Sequence, residues 1–238
     1  MFYTLDRIKK NVMICMVYTK KYLYYSYGME KMKNEISVNR SLAITGALGA
    51  LIIVLFITHL GFIPWFSGAA ITILQVPVIL GALLAGLWPG VALGAIFGIA
   101  SLIQASMTPT GALDPYFTNP LISVLPRMII GFVTYFSLKA LLLATKKLPK
   151  IFELVSYGLA AFLGSLANTF FVLASLIIFA QAITWEVLFA VLVSNGILEA
   201  VASVVLSVAV ISVVKVVSHK KSKLSEIDDN ENLHEDLE

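Results

Sequence analysis

Charge is what this chain has least of. Only 13% of its 238 residues are Asp, Glu, Lys or Arg, while 59% are hydrophobic, and a soluble domain carries roughly a quarter of its residues charged. A water-soluble globule is excluded on that ground. The scarcity is also localised: from Ser41 to Leu113, 73 consecutive positions hold no charged residue, which marks membrane-embedded sequence. A single cysteine, Cys15, excludes a disulfide framework and a cysteine-based metal cluster. Of three histidines, His219 and His234 fall in the tail, so no catalytic metal site can be assembled. Gly164-Ser-Leu-Ala lacks the residues that an intramembrane serine protease carries after its serine, and no phosphate-cradling loop or paired-acid motif is present. The sequence therefore predicts no enzyme, no cofactor and no resident metal. The net charge of +3 arises from a basic amino end and an acidic tail, a pattern that speaks of topology and not of nucleic acid.

What is present is long apolar sequence. A hydrocarbon core of about 30 Å takes about 20 residues per helix. By that ruler six spans are predicted: Ser41 to Leu60, Ala69 to Trp88, Pro89 to Met107, Pro120 to Thr145, Ile151 to Ala180 and Trp185 to Val217. Trp88-Pro89-Gly90 serves as the turn between the second and third. Basic residues near span ends set orientation. Lys31, Lys33 and Arg40 precede the first span, Lys146, Lys147 and Lys150 join the fourth to the fifth, and Lys215, Lys220, Lys221 and Lys223 lie at the exit of the sixth. The opposite loops carry Asp114 and Glu186 without Lys or Arg. The expected fold is an all-α integral membrane protein, a six-helix bundle with both termini cytoplasmic and three structured outer loops.

The chain divides into three regions. Residues 1–38 form a cytoplasmic extension containing the cluster Tyr18-Thr-Lys-Lys-Tyr-Leu-Tyr-Tyr-Ser-Tyr27, too polar for a span and without a signal-peptide cleavage site. Met29 or Met32 is the expected biological start, and an interfacial amphipathic helix is the competing reading. Residues 39–218 are the transmembrane domain. Residues 219–238 are an acidic tail whose composition predicts disorder.

Polar groups inside a membrane are costly, so the few present point to function. They are Gln75, Gln104, Asn119, Ser123, Arg127, Asn168, Asn195 and Glu199. Asn119, Ser123, Arg127 and Gly131 recur every four positions and so share one helix stripe. Arg127 is expected roughly 10 Å below the outer surface, and Asn195 and Glu199 about 15 and 20 Å from the outward end of the sixth span. Arg127 suits capture of an anionic group by charge-assisted hydrogen bonds, with a structural ion pair to Glu199 or Asp114 as the alternative. Glu199 is either a substrate contact or that partner. Asn168 and Asn195 are ligands or interhelical glue, and the same choice applies to Gln104 and to Gln75, which precedes an expected kink at Pro77. Lys139 snorkels to the cytoplasmic interface. Phe62, Trp65 and Phe66 in the first outer loop are either interfacial belt aromatics or a lid over the site. On the first helix Ala43, Ala47 and Ala50, interleaved with Gly46 and Gly49, let another helix approach closely, either a docked partner or a neighbour in the same chain.

Three stretches resemble the substrate-binding S component of energy-coupling factor (ECF) vitamin transporters. They are Ala43-Ile-Thr-Gly-Ala47, similar to the Ala-x-x-x-Ala docking motif of that family's first helix; Ile73-Leu-Gln-Val-Pro-Val-Ile-Leu-Gly81-Ala-Leu-Leu-Ala-Gly86; and Phe117-Thr-Asn-Pro120-Leu-Ile-Ser-Val-Leu-Pro-Arg127. The second often carries His where this chain has Gln75. The resemblance covers about Asn39 to Val217. It implies a bacterial plasma-membrane protein that binds a vitamin in an outward cavity between the outer halves of the fourth to sixth helices. Partners would be one transmembrane coupling subunit and two cytoplasmic ATPases. Arg127 in apolar surroundings suits a small carboxylate, with pantothenate the first expectation and nicotinate, riboflavin, pyridoxine-like compounds, a thiamine precursor, folate and peptide-like compounds open. An autonomous secondary transporter or channel for a small anion is the rival, although no inverted repeat is visible. A ligand-free membrane scaffold is the third reading.

Overall fold

The computed structural model describes residues 38–58, 60–64, 70–107, 113–149 and 151–235. By contact the chain divides at Ala43. The short amino-terminal unit contributes only the exposed start of a helix among its described residues, and the rest of the fold belongs to the second unit.

The apolar runs become helices whose breaks are set by glycine and proline. α1 spans Val38–Ile57 and leads to a two-stranded antiparallel hairpin, β1 (Phe62–Pro64) and β2 (Ala70–Thr72), with Ile63 opposite Ile71. Then come α2 (Gln75–Leu84), α3 (Leu87–Met107), a 3₁₀ turn at Asp114–Thr118, α4 (Pro120–Ser123) and α5 (Leu125–Thr145). α6 (Ile151–Ser175) ends in a π turn, Leu176–Ala180. α7 (Trp185–Val191) passes through a second π turn, Leu192–Gly196, into α8 (Ile197–Glu235).

Among the described residues, five helical segments are long and apolar enough to cross a membrane: Val38–Ile57, Leu87–Met107, Pro120–Thr145, Ile151–Ala180 and Trp185–Val217. They coincide within a few residues with five of the six expected spans. The second expected span, Ala69 to Trp88, is different. Its helix has ten residues, roughly 15 Å of rise, half a hydrocarbon core. Ala70–Thr72 is taken up by β2, whose Ile and Thr favour extended backbone, and Gly86, at φ +107°, turns the chain into α3 where residues with a side chain are strained. Pro77 does not kink a helix as expected; it lies in the first turn of α2, where its missing N–H breaks no helical bond. The architecture is all-helical as expected, apart from the hairpin of two three-residue strands. α8 continues to Glu235, and no Gly or Pro occurs after Gly196 to stop it. The Tyr18–Tyr27 cluster and both candidate starts lie outside the described residues.

α3 and α5 run antiparallel in unusually close register. A Cβ on Gly131 would lie 2.5 Å from the Gly90 carbonyl carbon, one on Gly98 would lie 2.5 Å from the Val124 Cα, and one on Gly94 would strike the Arg127 carbonyl oxygen. Three glycines thus let two backbones touch where side chains would hold them apart. α1 lays Leu48, Gly49, Ile52 and Phe56 toward the core formed with α2 and α3, including Leu93 and Phe97. Ala47, Ala50 and Gly46 point away and are exposed.

Candidate functional site

α2 is the centre of the bundle: Gln75 to Leu83 are all buried. Gln75, at 0% exposure, has its amide satisfied from two sides. Nε2 donates to Ser165 Oγ at 2.8 Å and Ser203 Oγ at 3.2 Å, and Oε1 accepts from Asn168 Nδ2 at 2.8 Å. Ser203 also donates to Ser165 at 3.4 Å. This cluster ties α2 to α6 and α8. Asn168, 7% exposed, is left with a buried Oδ1 that has no protein partner.

One turn along α6 and α8, Glu199 accepts twice. Its Oε1 takes the backbone N–H of Thr72 at 2.9 Å and its Oε2 the Thr169 hydroxyl at 3.2 Å. The carboxylate thereby fastens the end of the hairpin to α8 and α6. Asn195 is buried within the second π turn, a local widening that recurs at functional sites.

Arg127 is held by a feature of the backbone. Pro126 has no N–H to give the carbonyl four residues earlier, and that freed oxygen, of Ile122, accepts from Arg127 Nη1 at 2.7 Å. Nη2 reaches Ser101 Oγ at 3.5 Å. The guanidinium lies 4.9 Å from the Phe117 ring centroid and 5.7 Å from that of Phe97, within cation–π range. It is 7% exposed, and Nε is buried without a partner. The expected alternative, an ion pair with Glu199, is absent: the two charges interact across a distance, but the ion pair within 4.0 Å among the described residues is Lys215–Glu153 at 2.8 Å. A cation shielded from water and, among the described residues, touching no carboxylate has capacity left for an anion.

Other expected site residues are engaged locally. Asn119 caps α4, accepting the Leu121 N–H at 3.0 Å, and is exposed. Ser123 is fully buried and donates to the Gly98 carbonyl at 3.0 Å, so the stripe Ser123, Arg127 and Gly131 lies along the seam with α3. Gln104 is half-buried near the end of α3. Trp65 and Phe66 lie outside the described residues, as do the side chains of Phe62 and Asp114.

These features sit within a recognisable chain. The family profile described as "ECF transporter, substrate-specific component" matches residues 40–211. The chain belongs to that family. Among relatives of this ECF component, the pantothenic acid transporter PanT of Lactococcus lactis subsp. cremoris (strain MG1363) is 27% identical over 181 residues, 69% of this chain and 87% of that protein. The pantothenate transporter PanT of Leuconostoc mesenteroides subsp. mesenteroides is 34% identical over 96 residues, 39% of this chain and 47% of that protein. The chain is thus a multi-pass membrane protein and a transporter's substrate-specific component, a family of binding subunits and not of enzymes.

Sequence reasoning missed Ser101, Phe97, Phe117, Ser165, Thr169 and Ser203. A signal existed for one of them, since the four-residue step Asn195, Glu199 continues to Ser203 and Ser207. Of the aromatic neighbours of Arg127, Phe97 comes from a separate helix, while Phe117 opens the stretch that ends in Arg127 and was not singled out.

Proposed function

We propose that this ECF component captures pantothenate from the outer side of a bacterial plasma membrane. It then delivers the vitamin inward through an energising module of one transmembrane coupling subunit and two cytoplasmic ATPases. The observation that carries the substrate reading is Arg127, buried, contacting no carboxylate within 4.0 Å among the described residues and retaining an unpartnered Nε. A carboxylate arriving there completes the guanidinium's bonding and neutralises a charge that is otherwise costly in apolar surroundings. Names borne by relatives supply the vitamin; Arg127 supplies the chemistry. Asn168, Asn195 and Glu199 face the polar remainder of the substrate, with Gln104 and Trp65 at its outer margin. Gln75, Asn119 and Ser123 shape the site from behind, through bonds to other protein groups.

In this reading six membrane-inserted segments, α2 among them, place both termini in the cytoplasm and the β1–β2 hairpin, the 3₁₀ turn and the α6–α7 connection outside. Ala47 and Ala50, exposed on α1, together with Ala43, form the surface on which a coupling-subunit helix docks, because small residues permit close backbone approach.

The test is binding by the purified chain. Titration calorimetry in detergent against a panel of water-soluble vitamins is expected to give pantothenate as the tight ligand. A panel in which pantothenate produces no heat and no rise in melting temperature overturns the assignment; tight binding of a different vitamin replaces the cargo and retains the receptor.

A further inference from the structure

Asn168 Oδ1 is a buried acceptor without a protein partner, and the reason it is an acceptor lies behind it. An asparagine amide has one accepting and one donating end, so left alone it serves either kind of group. Here the donating end is occupied: Nδ2 gives its hydrogen bond to Gln75 Oε1 at 2.8 Å. Gln75 is in turn fixed, because its own Nε2 spends both hydrogens on the hydroxyls of Ser165 and Ser203. At 0% exposure Gln75 is sealed from any substrate. Serines, glutamine and asparagine form a polarised relay whose last free atom is an oxygen.

We propose that Asn168 is a specificity-determining residue that accepts a hydrogen bond from a hydroxyl or amide N–H of the substrate, and that Gln75 is the positioning residue that sets its polarity. This rests on the reading above and adds to it a second recognition element of opposite demand: Arg127 takes the anionic end, Asn168 requires a donor. A site built to bond a polar group rejects the analogue lacking it, since its own buried group is then left unpaired.

The experiment is a cycle of protein and ligand variants read by calorimetry in detergent. The probes are pantothenate and three analogues, each missing one donor: either hydroxyl removed, or the amide nitrogen methylated. In the wild-type protein, loss of one particular donor is expected to weaken binding roughly 10- to 100-fold. In Asn168→Ala that penalty is expected to vanish, so that pantothenate and the same analogue bind alike. Asn168→Asp, which keeps an accepting oxygen, is expected to retain the penalty and serves where the alanine variant does not fold. Gln75→Leu frees the Asn168 amide to turn over and is expected to reduce donor discrimination at least about fivefold; equal weakening of all four probes would make Gln75 merely structural. The proposal is overturned if Asn168→Ala weakens every probe by one factor, or if the wild-type protein depends on a substrate carbonyl and on no donor. Wild-type protein that binds no pantothenate sinks the vitamin assignment first, and this inference with it.

Discussion

Arg127 behaves unlike one half of a salt bridge. Removing one partner of a buried ion pair strands the other charge, whereas among the described residues no carboxylate stands within 4.0 Å of this guanidinium. What it leaves behind is the Ile122 carbonyl and the Ser101 hydroxyl. Arg127→Ala is therefore expected to weaken pantothenate binding at least tenfold, about 1.4 kcal/mol or more, while the ligand-free protein still folds and melts as one transition. Calorimetry and a melting curve check both halves, and undiminished affinity would make the residue structural. A second buried group makes a purely energetic prediction. Thr134 Oγ1 has no partner and packs against Gly164. Thr134→Val keeps the shape and deletes an unsatisfied hydroxyl, so melting is expected to stay level or rise, by about 1 kcal/mol of stability. A clear fall in melting temperature would mean that the hydroxyl, at 0% exposure, is bonded within the protein interior.

The seam between α3 and α5 decides where Arg127 stands, because the Arg127 backbone itself rests on Gly94. Any side chain on that seam must push two backbones apart, and the guanidinium would leave Phe97 and Ser101 with them. Gly131→Ala puts a methyl 2.5 Å from the Gly90 carbonyl carbon and is expected to cost about 1–3 kcal/mol, since backbone, unlike a rotatable side chain, has nowhere to go. Gly46→Ala on α1 is the matched control. Its Cβ meets nothing within 4 Å, and alanine is the better helix former by about 1 kcal/mol. Melting curves of the two isolated variants should move in opposite directions, and a harmless Gly131→Ala would show the seam to be loose.

For the whole molecule the expected division of labour is binding by this chain and energy from elsewhere. Reconstituted alone in liposomes, it is expected to bind labelled pantothenate and not to accumulate it; addition of the coupling subunit, the ATPases and ATP is expected to start uptake. Accumulation by the lone chain would establish an autonomous transporter instead. Ala47→Leu separates the two functions. The position is exposed, so a larger side chain leaves the interior unchanged but holds off a partner helix. Uptake is expected to fall several-fold with pantothenate affinity intact, and normal uptake would remove Ala47 from the docking face.

Much of this was legible in one dimension, because a bilayer admits few solutions. Every backbone polar group in hydrocarbon must be bonded within its own helix, so a long run without charge is already a helix, and the five long spans could be bounded to within a few residues. The rarity of polar residues in such runs singled out Arg127, Asn168 and Glu199. The short α2 escaped for a reason of the same kind: buried by protein on all sides, it is as apolar as a span, and only the pairing of β2 and the positive φ of Gly86 cut it down.

What only the tertiary structure decided is who bonds to whom. Composition left Arg127 and Glu199 as candidate partners, but the Thr72 N–H and Thr169 hold the glutamate while the Ile122 carbonyl, freed by Pro126, holds the arginine. Gln75 and Asn168 were equal candidates for substrate contact, and only the serines behind them distinguish the sealed residue from the one with an open oxygen. Hydrogen bonds are directional, and those of Gln75 join it to positions 90 or more residues away, so no local pattern encodes them. Apolar length and period determined the helices; the geometry of their contacts determined the site.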